Sequence, residues 1–260
     1  MTISETTTVR DITAGIPGAP RVFENFGIDY CCGGHRSLAD ACREAGLPIG
    51  EVSRSLKEAE SASQSGGADR DWRQESLTSL TAYIIDKHHD FTRQEFDRLE
   101  KLFDKVCSRH GGKHAELFDA QKTFYELKND LIPHLLKEEQ VLFPYITRME
   151  EASGNGLTIP PPFFGAVQNP VRKMMMEHET AGDLLRTLRA TTGDYAPPPN
   201  ACASYRELYQ SLTDFEADLH RHIHLENNLL FPRAIEMEEK ARPDLRRSPD
   251  TVDGHCCFTR

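Results

Sequence analysis

The stretch HLLKEEQVLFP, residues 134–144, holds a histidine and a glutamate four residues apart, followed by Leu-Phe-Pro. It recurs as HIHLENNLLFP over residues 222–232, with His134 and His222, Glu138 and Glu226, and the two LFP triplets in register 88 residues apart. On a helix, a spacing of four puts both side chains on one face, one turn apart. His89 and His178 lie 89 residues apart and stand 45 and 44 residues ahead of the two motifs. Each half of the chain thus reads as a helix with one histidine followed by a helix with His-x-x-x-Glu.

The apolar pattern around these motifs steps by three and four, which predicts four long amphipathic helices. The first carries Ile85, His89, Thr92, Phe96, Leu99, Phe103 and Val106 on its inner stripe. The second carries Leu117, Ala120, Phe124, Leu127, Leu131, His134, Glu138, Val141 and Tyr145. Pro170, after Asn169 as cap, is expected to open the third, with Val171, Met175, His178, Gly182 and Leu185 facing inward. The fourth shows Tyr205, Leu208, Leu212, Phe215, Leu219, His222, Glu226 and Leu229. Four such helices make a four-helix bundle over residues 71–240, so the fold class is all-α. Pro133 is expected to kink the second helix beside His134, and Pro144 and Pro232 to bend or end their helices past the motifs.

The stripes place imidazoles and carboxylates where aliphatic residues belong. Buried without compensation, such groups are costly, and a metal compensates all of them at once. Stacking the two halves about a pseudo-twofold axis brings His89, His134, Glu138, His178, His222 and Glu226 to one level. Two octahedral ions offer about twelve coordination positions; four imidazoles and two bridging carboxylates leave about four for a bridge and outside ligands. Mixed nitrogen and oxygen donors without thiolate fit iron or manganese, whereas structural zinc prefers closed, sulfur-rich tetrahedra. Two non-haem iron ions with an oxo or hydroxo bridge are the expected cofactor. His88, Glu139, His220 and His224 fall off the stripe and read as solvated or supporting residues. Glu177 and Asp130 are candidates for supporting partners or an access route, and His110 and His114 belong to a turn away from the metal level.

Residues 1–60 read as a small helical domain, with helices near 20–27, 37–46 and 51–60 and Cys31-Cys32-Gly33-Gly34 between the first two. Residues 61–70 are small and polar, a flexible linker by composition, and 241–260 form a tail. The following helix N-terminus is expected to lower the thiol pKa of Cys31 and Cys32. They are read as an exposed pair that accepts or passes a metal ion or redox equivalents. Cys42, Cys107 and Cys202 are read as packing residues, and His255-Cys256-Cys257 as incidental to the tail.

The formal net charge of −10 argues against a general nucleic-acid binder, which needs excess Lys and Arg on its phosphate-facing surface. No apolar run approaches the roughly 18–20 residues that span a bilayer, and the polar start lacks a secretory h-region. Seven cysteines without a spaced framework suit a reducing compartment, so the cytoplasm is the expected location.

DYCCGG (29–34), DWR (71–73), HLLKEEQVLFP, EHETAGDLL (177–185) and HIHLENNLLFP together resemble the repair-of-iron-centres family, the iron–sulfur cluster repair di-iron proteins. The likeness spans roughly residues 8–240. It implies a hemerythrin-like bundle with a cysteine-bearing N-terminal domain, and iron ligands at His89, His134, Glu138, His178, His222 and Glu226 with the glutamates bridging. It also implies a function in restoring iron–sulfur clusters damaged by nitric oxide or peroxide, with the damaged proteins as clients. Two other functions compete: reduction of nitric oxide by an enzyme at the same centre, and binding or sensing of O2 or NO. Four histidines, fewer than oxygen-carrying hemerythrins use, weigh against reversible O2 binding. A homodimer is compatible with this reading.

Overall fold

The computed structural model describes residues 3–63, 71–159 and 161–242, and among these the chain is helical with no strand. The short helices are α1 (Val9–Gly15), α2 (Ala19–Asn25), α3 (Leu38–Glu44) and α4 (Ile49–Ser63). The bundle comprises α5 (77–110), α6 (116–154), α7 (Gln168–Thr191) and α8 (203–241). Capping follows the sequence. Thr8, Ser37 and Ser76 accept hydrogen bonds from Asp11, Asp40 and Ser79 N–H at the starts of α1, α3 and α5. The Glu150 carboxylate adds a second cap to α5, accepting from the N–H groups of Leu77 and Thr78, each at 2.8 Å. No helix of the described residues is long and apolar enough to cross a membrane.

Three of the bundle helices widen into a π turn: Ile84–His89 in α5, Glu138–Leu142 in α6 and Glu226–Leu230 in α8. Each π turn inserts one residue into the ladder and shifts the inward stripe by one position. Ile84 and Leu142 are therefore the buried residues, where the even periodicity placed Ile85 and Val141. Pro144 and Pro232 do not end their helices. Each stands just past a π turn, where α-helical pairing restarts and its missing N–H is tolerated, and the helices run on to Gly154 and Ala241. α6 also continues through Pro133. Helix α7 begins at Gln168, so Pro170 lies in its third position, still among the N–H groups that lack intrahelical partners; Asn169 does not cap it but donates to the Phe164 carbonyl. Its inward methionine is Met174, while Met175 is 40% exposed, because steps of three-four and four-three both link Val171 to His178.

α5 packs mainly on α8, and α6 on α7. The core divides into two apolar blocks on either side of the metal level. One holds Phe96, Phe103, Phe124 and Phe215, with Phe96–Phe215 and Phe103–Phe124 centroids both 5.1 Å apart. The other holds Leu80, Ile84, Leu142, Phe143, Ile146 and Phe231. Each such buried side chain contributes about 1.5–3 kcal/mol, enough to hold polar residues between the two blocks.

The N-terminal helices share their own core of Val9, Ile12, Phe23, Tyr30, Leu38 and Leu56. They dock on α8. Tyr30 packs against the rings of His220 and His224, and Asn228 donates to the Tyr30 carbonyl at 3.1 Å. A Cβ on Gly34 would lie 2.5 Å from Asn228 Oδ1, so the glycine is what lets the Cys-Cys-Gly-Gly loop approach so closely. Helix α4 runs to Ser63, into the stretch expected as linker. His255, Cys256 and Cys257 lie outside the described residues.

Candidate metal centre

The structure brings the six residues named from the stripes together. His134 and His222 stand one turn ahead of Glu138 and Glu226, which open the π turns of α6 and α8; His89 closes that of α5, and His178 projects from regular α7. All six side chains are at most 1% exposed. Their donor atoms form two groups of four, His89-Glu138-His222-Glu226 and His134-Glu138-His178-Glu226, each with its atoms within 4.8 Å of one another.

Both glutamates belong to both groups, one oxygen to each. Glu226 Oε1 lies 3.0 Å from His222 Nε2, and its Oε2 lies 3.1 Å from His178 Nε2. Glu138 Oε2 lies 3.5 Å from His89 Nε2, and its Oε1 lies 3.4 Å from His134 Nε2. Across the bundle the imidazoles meet nitrogen to nitrogen, His89 to His222 at 3.1 Å and His134 to His178 at 3.0 Å.

The outward Nδ1 atoms fix three of the rings. His89 donates to Glu139 at 2.7 Å, His134 to Glu177 at 2.8 Å and His178 to the Asn227 side-chain oxygen at 2.9 Å. These bonds leave Nε2 directed at the centre, as a metal-binding imidazole requires. Arg93 and Lys137 in turn hold Glu139 and Glu177. His222 Nδ1 has no partner, and its ring lies parallel to that of His88, 5.7 Å away at 9°.

The donor set fits a metal pair. Both oxygens of Glu138 and Oε2 of Glu226 are buried without a hydrogen-bond partner, so these carboxylates need a cation. Burial disfavours charge on His89 and His134, yet the two carboxylates outweigh it and push both imidazoles up to about 10. Burial likewise opposes the Glu138 and Glu226 charges, but the surrounding imidazoles hold both carboxyls below their usual range. Protons thus balance the negative charge in the metal-free chain, in the place that cations would take. Nitrogen and oxygen donors without thiolate suit iron or manganese.

The residues set aside by register divide. His88 is not solvated: it is buried and bonded through Nδ1 to Asp218 at 3.0 Å. His224 is buried too, with its pKa pushed down to about 4 by burial. Glu139 and Glu177 are supporting partners, whereas Asp130 is exposed. His110 and His114 pack on Tyr205, well away from the centre along the bundle. Cys42 and Cys107 are packing residues, while Cys202 is only partly buried, its Sγ 3.2 Å from His110 Nε2. The π turns, Asn227 and the His88–Asp218 pair were not read from the sequence. Their signal was the polar neighbour adjoining several of the stripe residues: His88 before His89, Glu139 after Glu138, Asn227 after Glu226.

Of the thiol pair, Cys31 departs from expectation. Cys31 is only 6% exposed and joins the core of the bundle, and Cys32 Sγ lies 3.9 Å from the backbone carbonyl of His178. The sulfurs are 3.7 Å apart, both thiols free. Cys31 is thus packed away, while Cys32 is only partly buried and lines an open pocket with Asp29, His35 and Arg36. The Cys31 thiol is pushed up, not down, by its contact with Cys32, by burial and by the Asp29 carboxylate. Helix α3 starts only at Leu38, too far on for its N-terminal field to act.

A helical bundle with four histidines and two shared glutamates at one level has the architecture of a hemerythrin-type cation-binding protein. Residues 80–234 match the hemerythrin HHE cation binding domain, and residues 5–60 match a domain of unknown function (DUF542). A probable iron-sulfur cluster repair protein of Haemophilus influenzae is 32% identical over 225 residues, 86% of this chain and 95% of the relative. Iron-sulfur cluster repair protein YtfE of Edwardsiella ictaluri is 34% identical over 86% of this chain and 95% of its own length. That of Dickeya chrysanthemi is 34% identical over 88% and 96%. The chain belongs to this family of hemerythrin-domain iron–sulfur cluster repair proteins.

Proposed function

We propose that the protein repairs iron–sulfur clusters damaged by nitrosative or oxidative stress, supplying iron from a labile di-iron centre held by His89, His134, Glu138, His178, His222 and Glu226. The observation that carries this reading is that Glu138 and Glu226 each turn one oxygen to either group of imidazoles, which suits two bridged ions. Iron held by these six residues would be both bound metal and cargo, and would supply a place for NO or O2 to bind as small ligands. The chain's own residues orient the imidazoles, exclude water from the centre and, through Glu139 and Glu177, tune donor strength. Cys32, whose Sγ lies 3.9 Å from the His178 carbonyl, would be the first of the two thiols, Cys31 and Cys32, to take up metal or redox equivalents leaving the centre. We further propose that the helical domain of 1–60, the linker of 61–70 and the bundle of 71–240 act together in the cytoplasm, where such thiols stay reduced. Clients are the damaged iron–sulfur proteins.

The test is reactivation of a nitric-oxide-damaged cluster enzyme by iron-loaded protein. Reactivation that follows iron content supports the reading. Equal reactivation by Glu138→Ala and Glu226→Ala chains stripped of metal would sink it.

A further inference from the structure

A cavity of about 750 Å³ lies between the N-terminal helices and the bundle, and neither the metal ligands nor the thiol pair lines it. Pro17 and Pro20 form its N-terminal wall, and α5 and α8 supply the opposite one. Its volume is that of a small-molecule site, typically about 300–1,000 Å³. The lining is amphipathic in a specific way. Trp72, from the Asp-Trp-Arg motif that the metal centre does not use, packs at 4.4 Å on Tyr83, and Phe91 adds a third ring. Lys87 and Arg221 stand exposed at the rim. Of the acids in the lining, Asp71 is paired with Arg73 and Asp218 is bonded to His88; Arg221 shares its charge with Glu24 at 3.9 Å, so Lys87, with Arg221 beside it, sets the sign met by a ligand. His88, 5% exposed, reaches the cavity from the position where its ring stacks on His222.

We infer that this cavity binds a planar aromatic anion of the size of a flavin mononucleotide, its ring against Trp72, Tyr83 and Phe91 and its charge toward Lys87 and Arg221. Aromatic walls favour a flat π-system by stacking, and a cationic rim selects a negative substituent. A ring bound there is separated from His222 by one imidazole, that of His88. Binding itself does not depend on metal, so the inference stands or falls apart from the repair function.

Trp72 is the only tryptophan of the chain, so ligand binding reports directly through its fluorescence. The full chain is titrated with flavin mononucleotide, with and without iron, by Trp72 quenching and calorimetry. One molecule should bind per chain with a Kd below about 1 mM, and uncharged riboflavin should bind about tenfold more weakly. Lys87→Glu with Arg221→Glu should erase the preference for the phosphate while leaving riboflavin binding intact. Ala14→Phe, which fills the cavity and leaves the rim charges in place, should abolish binding of both. Absence of saturable binding, or flavin mononucleotide binding undiminished by Ala14→Phe, overturns the inference.

Discussion

Asn227 joins the metal level to the N-terminal helices: its side-chain oxygen accepts from His178 Nδ1 at 2.9 Å while its amide donates to the Cys31 carbonyl at 3.3 Å. One side chain therefore orients a candidate ligand and holds the cysteine loop. Asn227→Ala should weaken metal binding about 10–100-fold, the usual cost of losing such a supporting bond. It should also speed amide exchange across residues 29–34. Chelator competition and hydrogen exchange measure the two effects. A loss of affinity without faster exchange would show that the bonds from Asn228 and Arg36 hold the loop without Asn227.

Glu177 accepts from both His134 and Lys137, and these bonds, foremost that with His134, hold its carboxyl down at about 2. Glu177→Gln keeps the size but removes the charge, so the His134 ring loses its anionic partner. Metal should dissociate faster from this variant, with the far-ultraviolet circular dichroism unchanged. Stopped-flow transfer to a chromogenic chelator checks it, and an unaltered off-rate would remove Glu177 from the supporting set.

Much of the fold was legible because the His-x-x-x-Glu motif repeats in register with the apolar stripe, and six polar residues on an inner stripe are too costly to bury unless cations join them. What the sequence hid is tied to the π turns. A pattern of threes and fours carries no mark of an inserted residue, so even spacing points to Ile85 and Val141 instead of Ile84 and Leu142. For the same reason it does not show that His88 and His89 are both buried. Met174 escapes the pattern because the two step orders between Val171 and His178 are equivalent on the helix. The burial of Cys31 depends on contacts between segments almost two hundred residues apart, such as that with Asn227, which local reading does not reach.

Glu150 gives stability a pH dependence far from the metal. Burial opposes its charge, but bonds from the Thr78 hydroxyl and the Thr78 and Leu77 N–H groups outweigh burial and hold the carboxyl below its usual range. A carboxyl depressed on folding stabilises the fold fully above its unfolded pKa, about 4.3, and this contribution is lost as pH falls through the folded value. Glu150→Gln should cost about 1 kcal/mol at neutral pH, a cap-sized effect moderated by partial exposure. The difference between wild type and variant should narrow as pH drops below about 4.3. Urea unfolding at several pH values checks this, and a difference constant down to acid pH would contradict it.

Metal removal should expose how much of the bundle's stability resides at its centre. Without cations, the partnerless oxygens of Glu138 and Glu226 remain buried and are balanced only by protons on the imidazoles. A metal that binds only the folded chain adds about 2.7 kcal/mol when its free concentration is a hundred times Kd. Iron loading should therefore raise the midpoint of thermal unfolding by several degrees, dependent on iron concentration. Glu138→Ala with Glu226→Ala should abolish that shift, because both groups of donors lose both of their carboxylates. In the metal-free state the same double variant removes two buried charges together with the repulsion between them. Its apo form should lose far less stability than two ordinary buried-charge truncations, which leave a partner uncompensated and cost about 3–5 kcal/mol each. Scanning calorimetry of apo and iron-loaded chains measures both quantities, and an iron-induced shift that survives the double variant would place the metal elsewhere in the molecule.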